Sequence, residues 1–166
     1  MNDGDKKLDV IQKSWLIEEL EESKNYCNLR LIFMHIPLFD PRPEHEHCLS
    51  ASIASNLLTL FQKYRVSYIF YGHVHGYFSG YWKDIPYVIS GGSGARLYGN
   101  DKKHFFYHYV KITINNGKIL QEIKALKYEQ NFFDIVHYVL SNALVFLKYY
   151  SFYVFCLLLF LVLIFA

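Results

Sequence analysis

Three histidines stand where hydrophobic runs stop. His35 closes the run 29–34, and Gly72-His73-Val74-His75-Gly76 follows directly on the run 66–71. Alternate residues of an extended segment point to the same side, so His73 and His75 are expected to face one site. Ligands of α/β sheets gather at strand ends. Gly72 and Gly76 give the backbone room to turn beside the rings. Neutral imidazoles brought together suit zinc, iron or manganese better than calcium or magnesium, which prefer oxygen donors. Each histidine alone is as well explained as a hydrogen-bonded loop residue; the three in this pattern point to a metal site.

A second set of candidates surrounds them. His45, Glu46, His47 and Cys48 are rich in donor atoms, but four ligands with structural zinc spacing are missing. The plain reading is a solvated loop at the mouth of the site, with His45 and His47 on the substrate side. Arg96 is a candidate contact for an anionic substrate, against a default of solvation. Gly91-Gly92-Ser93-Gly94 either brings backbone N–H groups near a phosphate or simply turns the chain. His104 and His108 alternate with aromatic residues and are expected on one face of a strand, exposed or half-buried. Asp40 and Arg42 are spaced to pair across their loop, which needs no function.

The elements that must position these residues follow from periodicity. Residues 8–22 place Ile11, Trp15, Leu16 and Leu20 near one face of an amphipathic helix. Residues 29–34 form a strand that stops before Pro37, which cannot continue a central ladder. Ser50 is placed to cap a helix over 51–64 that buries Ile53, Leu57, Leu58 and Phe61. Residues 66–71 and 87–90 read as buried strands. Residues 105–114 and 118–126 alternate around Asn115-Asn116-Gly117, a strong hairpin signal. The order of elements is that of an α/β domain.

Bulk properties narrow the class. A chain of 166 residues suffices for one domain, and a net charge of +2 supplies no basic field for nucleic acid. Cys27, Cys48 and Cys156 make no disulfide framework, which agrees with a reducing compartment. Residues 149–166 carry no charge and as a helix would span roughly 27 Å, close to the hydrocarbon thickness of a bilayer. A buried core helix would keep a polar stripe. Tyr149, Tyr150 and Tyr153 fit an interfacial belt beside Lys148. The expectation is a disordered start (1–7), a globular domain (8–127), a juxtamembrane segment (128–148) and a single-pass transmembrane helix (149–166). The flanking lysine favours a cytoplasmic globular part.

Three of these motifs, in order, carry a resemblance. Met34-His35-Ile36-Pro37, Tyr71-Gly72-His73-Val74-His75-Gly76 and Ile89-Ser90-Gly91-Gly92-Ser93-Gly94, with the helix around Gln12-Lys13-Ser14-Trp15-Leu16 ahead of them, resemble the last third of the calcineurin-like metallophosphoesterases. The resemblance covers roughly residues 8–125. It implies the C-terminal half of an α/β/β/α sandwich, and a two-metal site at its edge where a metal-bound hydroxide attacks a phosphate mono- or diester. Carried over by motif, His35 and His73 would bind one divalent ion and His75 the other. The family also uses Asp-x-His, Gly-Asp-x-x-Asp and Gly-Asn-His-Asp/Glu upstream. No Asp-x-His occurs in this chain, Leu8 stands where Gly4-Asp5 would need a second Asp, and Gly99-Asn100-Asp101 lacks the His. The expectation is therefore at most one bound ion and an inactive isolated chain. Its carboxylates would come from a separate N-terminal half or upstream sequence, and its sheet, left half covered, would self-associate. The alternative is a membrane-anchored remnant or binding module without catalysis.

Overall fold

The runs that end at His35 and Gly72 lie side by side. Leu31–Met34 (β1) and Tyr68–Tyr71 (β2) pair in parallel, with Ile32 opposite Ile69 and Met34 opposite Tyr71. The helix between them, Ala51–Lys63 (α2), provides the crossover that parallel strands require. Its buried stripe is Ala54, Leu57, Leu58 and Phe61. Ile53 is only partly buried, and Ser50 occupies the N-cap without a side-chain capping bond because its hydroxyl turns to that of Ser52.

The computed structural model describes residues 9–43, 46–94, 96, 97, 99, 101–127 and then 136, 138–144, 146, 148, 150, 151, 153 and 155. The chain divides into two units, Met1–Lys127 and Tyr128–Ala166. The first is a mixed α/β fold. Its four-stranded sheet has the order β1-β2-β4-β3, where β3 is Tyr77–Trp82 and β4 is Ile85–Ser90. β4 runs parallel to β2, and β3 returns antiparallel along β4. A separate antiparallel hairpin joins His108–Asn115 (β5) to Lys118–Ala125 (β6). Its turn is Asn116-Gly117 with φ of 49° and 74°, the backbone that twisted hairpin strands favour.

One face of the sheet is the core. Ile69, Tyr71, Phe78, Tyr87 and Ile89 join the α2 stripe in one cluster, with Ile36 and Leu38 from the loop after β1. Each such side chain contributes roughly 1.5–3 kcal/mol. The opposite face meets the hairpin through polar ties. Tyr68 donates its hydroxyl hydrogen to Gln121 Oε1, and the Gln121 amide donates to Tyr77 Oη at 2.9 Å. Toward the β1 edge that face is uncovered: Phe33 is 74% exposed and only stacks on Phe70.

Two expectations change here. The first helix, Val10–Glu22 (α1), is capped by Asp9, whose carboxylate accepts the Gln12 N–H at 2.7 Å. Only Leu16 and Leu20 of its apolar face reach the core, whereas Ile11 and Trp15 are 81% and 59% exposed. The strand β3 was absent from the sequence reading. Its turn, Lys83-Asp84, lacks the Asn-Gly signal and is made by Lys83 itself at φ 58°.

In the second unit every described residue from 136 to 155 is helical. Exposed apolar side chains along it include Val139, Leu140, Leu144 and Phe155. Among the described residues no helix is long and apolar enough to cross a membrane. Most of the expected span 149–166 lies outside them, as does the expected disordered start 1–7.

Candidate functional site

The parallel register sets the ends of β1 and β2 level, since Met34 pairs with Tyr71. His35 and Gly72 are therefore neighbours, and the Gly72 N–H donates to the His35 carbonyl at 3.1 Å. The next residues are not extended. Val74 N–H bonds back to Gly72 O at 2.7 Å and Gly76 N–H to Val74 O at 2.8 Å. His73 sits at φ 61°, a left-handed conformation uncommon outside glycine, in which histidine is enriched. Strain of this kind gathers at functional sites.

That turn replaces the extended path expected for His73 to His75, although both side chains still line one cleft. The His73 ring swings toward β1, where its Nδ1 lies 3.3 Å from His35 Nε2. The His75 Nδ1–H donates to the backbone carbonyl of Arg96 at 2.8 Å. Arg96 thus enters the site through its main chain, while its side chain is exposed. His75 keeps the lone pair on Nε2, because a neutral imidazole holds one hydrogen and one acceptor nitrogen.

His47 arrives from the loop after β1. Its Nδ1 is 3.4 Å from His73 Nε2, on the other side of the His73 ring from His35. Asp40 holds that loop in place. Its side chain is fully buried and takes two bonds from the Arg42 guanidinium, Nε at 3.0 Å and Nη2 at 2.8 Å. It also accepts the backbone N–H groups of Arg42 at 3.0 Å and His47 at 3.1 Å. Burial by itself would push the Asp40 carboxyl up; these bonds outweigh it and hold the group down to about 2. The Asp40–Arg42 pair foreseen as incidental is thus the lock that fixes His47. His45 lies outside the described residues.

The Gly-rich turn serves packing. A Cβ on Gly91 would lie 2.2 Å from the Val74 carbonyl oxygen, so only glycine lets this turn close on the histidine turn. A Cβ on Gly92 would strike the His108 ring at 2.5 Å. His108 is not exposed or half-buried as expected but wholly enclosed. Its Nδ1–H donates to Phe106 O at 2.8 Å, and its Nε2 accepts the Ser90 hydroxyl at 3.1 Å. His104 lies before β5, stacked on Phe78 with Nδ1 donating to Tyr77 O. Both histidines are spoken for by the joint between hairpin and sheet.

Arg42, His47, His73, Val74, His75 and Phe105 line a cleft of about 480 Å³. No family model matches the sequence, and no curated protein does. Among solved structures the chain is similar to GAP50, the anchor in the inner membrane complex of Plasmodium. The TM-score is 0.43 at 16% identity, covering 73% of this chain and 44% of that one. The chain thus spans less than half the length of that protein, and likeness at this level transfers no function.

Two tests bear on whether the residues suit an ion. Nitrogens bound to one tetrahedral zinc at about 2.0–2.1 Å stand about 3.3–3.4 Å apart. The His35–His73 separation of 3.3 Å and the His47–His73 separation of 3.4 Å both match, and both also fit an imidazole–imidazole hydrogen bond. His75 has one ring nitrogen, Nδ1, fixed on a carbonyl, as is usual for a histidine ligand. Among the described residues no three His, Cys, Asp or Glu side chains converge as a complete ligand set. The described residues thus offer an ion two neighbouring imidazoles and no third donor.

Proposed function

We propose that this chain carries the imidazole half of a metallophosphoesterase site on an α/β half-sandwich, joined to a membrane by its C-terminal helix. The observation that carries the reading is the 3.3 Å approach of His35 Nε2 to His73 Nδ1 at the level ends of two parallel strands. His35 and His73 would hold one divalent ion and His75, through Nε2, would reach toward a second. A bound ion would supply Lewis-acid stabilisation of a phosphate ester's oxygens. The chain's own residues do the rest: the strand ends fix two rings, the Arg96 carbonyl orients the third, and Arg42 lends positive charge to the cleft.

One observation favours the alternative of a non-catalytic anchored remnant when the chain is alone. No carboxylate lines the cleft among the described residues, and Asp40 is committed to Arg42. A bridging carboxylate would then come from outside the described residues, as the resemblance implies for a separate N-terminal half or upstream sequence. The apolar side chains exposed along 136–155 support the membrane reading, since lipid is a cover for such a helix. Lys148 favours a cytoplasmic side for the globular part.

The test is metal content by mass spectrometry on full chain purified in detergent, with turnover of a phosphodiester measured in parallel. About one ion per chain, lost in the His73→Ala, His75→Ala double variant, with no turnover, is the expected result. No ion in the wild type removes the metal reading. Turnover abolished by His73→Ala would show that the carboxylate half is not required.

A further inference from the structure

We infer that the outer edge of β1, with the exposed face of α1 beside it, docks a second copy of this chain, the two related by a twofold axis normal to the sheet. This contact is independent of the metal reading above.

In the sheet order β1-β2-β4-β3, no described strand pairs with the far side of β1. Natural edge strands are blunted by a lysine, a proline, a bulge or an inward charge. β1 has none of these, since its four residues are Leu31, Ile32, Phe33 and Met34. It is built like a strand from the middle of a sheet. Both flanks of its open edge are apolar as well. On the α1 side a groove of about 420 Å³ is lined by Gln12, Trp15, Leu16 and residues 31–35. Trp15 is exposed there, and so is Ile11, one turn earlier on the same helix face. On the other flank stands the exposed ring of Phe33. Trp15 and Phe33 together offer on the order of 300 Å² per copy, a sizeable share of the roughly 800 Å² per partner of a stable interface. Ile11, the groove and the strand edge add to it.

The charges along α1 favour a second copy and set its direction. The first half of the helix carries Lys13 and no acid, and the second half carries Glu18, Glu19, Glu21 and Glu22. Glu21 is engaged by Lys24 and Tyr64, while Glu18, Glu19 and Glu22 are exposed. One patch thus holds both signs, as a contact of identical surfaces requires. A twofold normal to the sheet reverses every direction in its plane. β1 then meets its copy antiparallel, and the acidic half of each α1 lies toward the basic end of the other. A parallel placement would bring the glutamates together, and packing through the opposite face of the sheet would leave Ile11 and Trp15 uncovered. Such a contact closes after two copies.

The test is sedimentation equilibrium of the full chain in density-matched detergent, for wild type, Ile11→Glu, Ile11→Lys and Leu120→Glu. Ile11 and Leu120 are both exposed, so these variants keep the fold, and circular dichroism checks this. The wild type is expected to dimerise. Ile11→Glu, facing the acidic half of the second copy, should raise the dissociation constant about fivefold or more above that of Ile11→Lys, since exposed charge pairs act on this scale and each occurs twice. The gap should narrow at high salt. Leu120→Glu, on the hairpin, should leave the dimer as it is. A wild type that stays monomeric overturns the inference, as do open-ended assemblies in its place. Equal constants for Ile11→Glu and Ile11→Lys overturn it too, and so does a dimer broken as readily by Leu120→Glu.

Discussion

Replacing Asp40 by Asn tests the loop that carries His47. The carboxyl is held down from 3.8 to about 2 while wholly buried beside an Arg42 that is only 16% exposed. A depression of that size corresponds to about 2 kcal/mol of stability at neutral pH. Because the folded value is the lower one, the stabilisation is complete above the unfolded value near 3.8 and is lost as pH falls toward 2. Asn keeps one acceptor oxygen, for the Arg42 side, but turns an amide hydrogen toward donors of Arg42 or His47. The expected cost is therefore about 3–5 kcal/mol at pH 7, the range seen when one member of a buried pair is removed. Trp82 is a built-in reporter, since it packs edge-on to Phe39 of the same loop. With Trp15→Phe as background, Trp82 is the single tryptophan. Urea unfolding of the full chain in detergent, followed by its fluorescence, should show the variant's midpoint lower by about 1 M or more at an ordinary slope. The gap between variant and background should shrink as pH is lowered from 4 to 2. Equal midpoints at pH 7, or a gap indifferent to pH across that window, would refute the reasoning.

Other perturbations probe the frame around the site. Gly91→Ala drives a Cβ into the Val74 carbonyl and should cost about 2 kcal/mol or more while displacing His73 and His75, read as weakened zinc binding. His108→Ala empties an enclosed site between Ser90 and Phe106 and should lower stability by about 2–4 kcal/mol; a double-mutant cycle with Ser90→Ala should show coupling, and additivity would contradict the bond. Gly117→Ala, at φ 74°, should destabilise the hairpin by about 1 kcal/mol or more, seen as faster amide exchange in β5 and β6. Phe33→Glu removes the most exposed part of the uncovered aromatic face; light scattering of the full chain in detergent should show less association, and unchanged association would place the contact elsewhere.

Much of the scaffold was legible because its signals are local. The stripe of α2, the apolar runs before His35 and Gly72, and Asn116-Gly117 each carry their own periodicity or turn chemistry. What was not legible depends on neighbours. β3 includes Ser79 and Gly80 and is held by pairing with β4, through a turn whose left-handed residue is a lysine. Alternation suggests an extended His73; the pair of tight turns closing on Gly72 and Val74 turns it to φ 61°, and His75 bonds to the Arg96 carbonyl. His108 looks like any histidine in an aromatic strand until Ser90 and Phe106 enclose it. Asp40 and Arg42 were visible as a pair, but nothing in their spacing tells that the same carboxylate bonds His47. The span expected over 149–166 falls largely outside the described residues.

An ion shared by His35 and His73 would be visible in X-ray absorption at the zinc edge, on the full chain in detergent with one equivalent of zinc. The expected spectrum has a nitrogen and oxygen shell at about 2.0–2.1 Å with outer-shell scattering from two imidazoles, falling to one in His35→Ala. A spectrum without imidazole scattering, or one unchanged by both His35→Ala and His73→Ala, would contradict it.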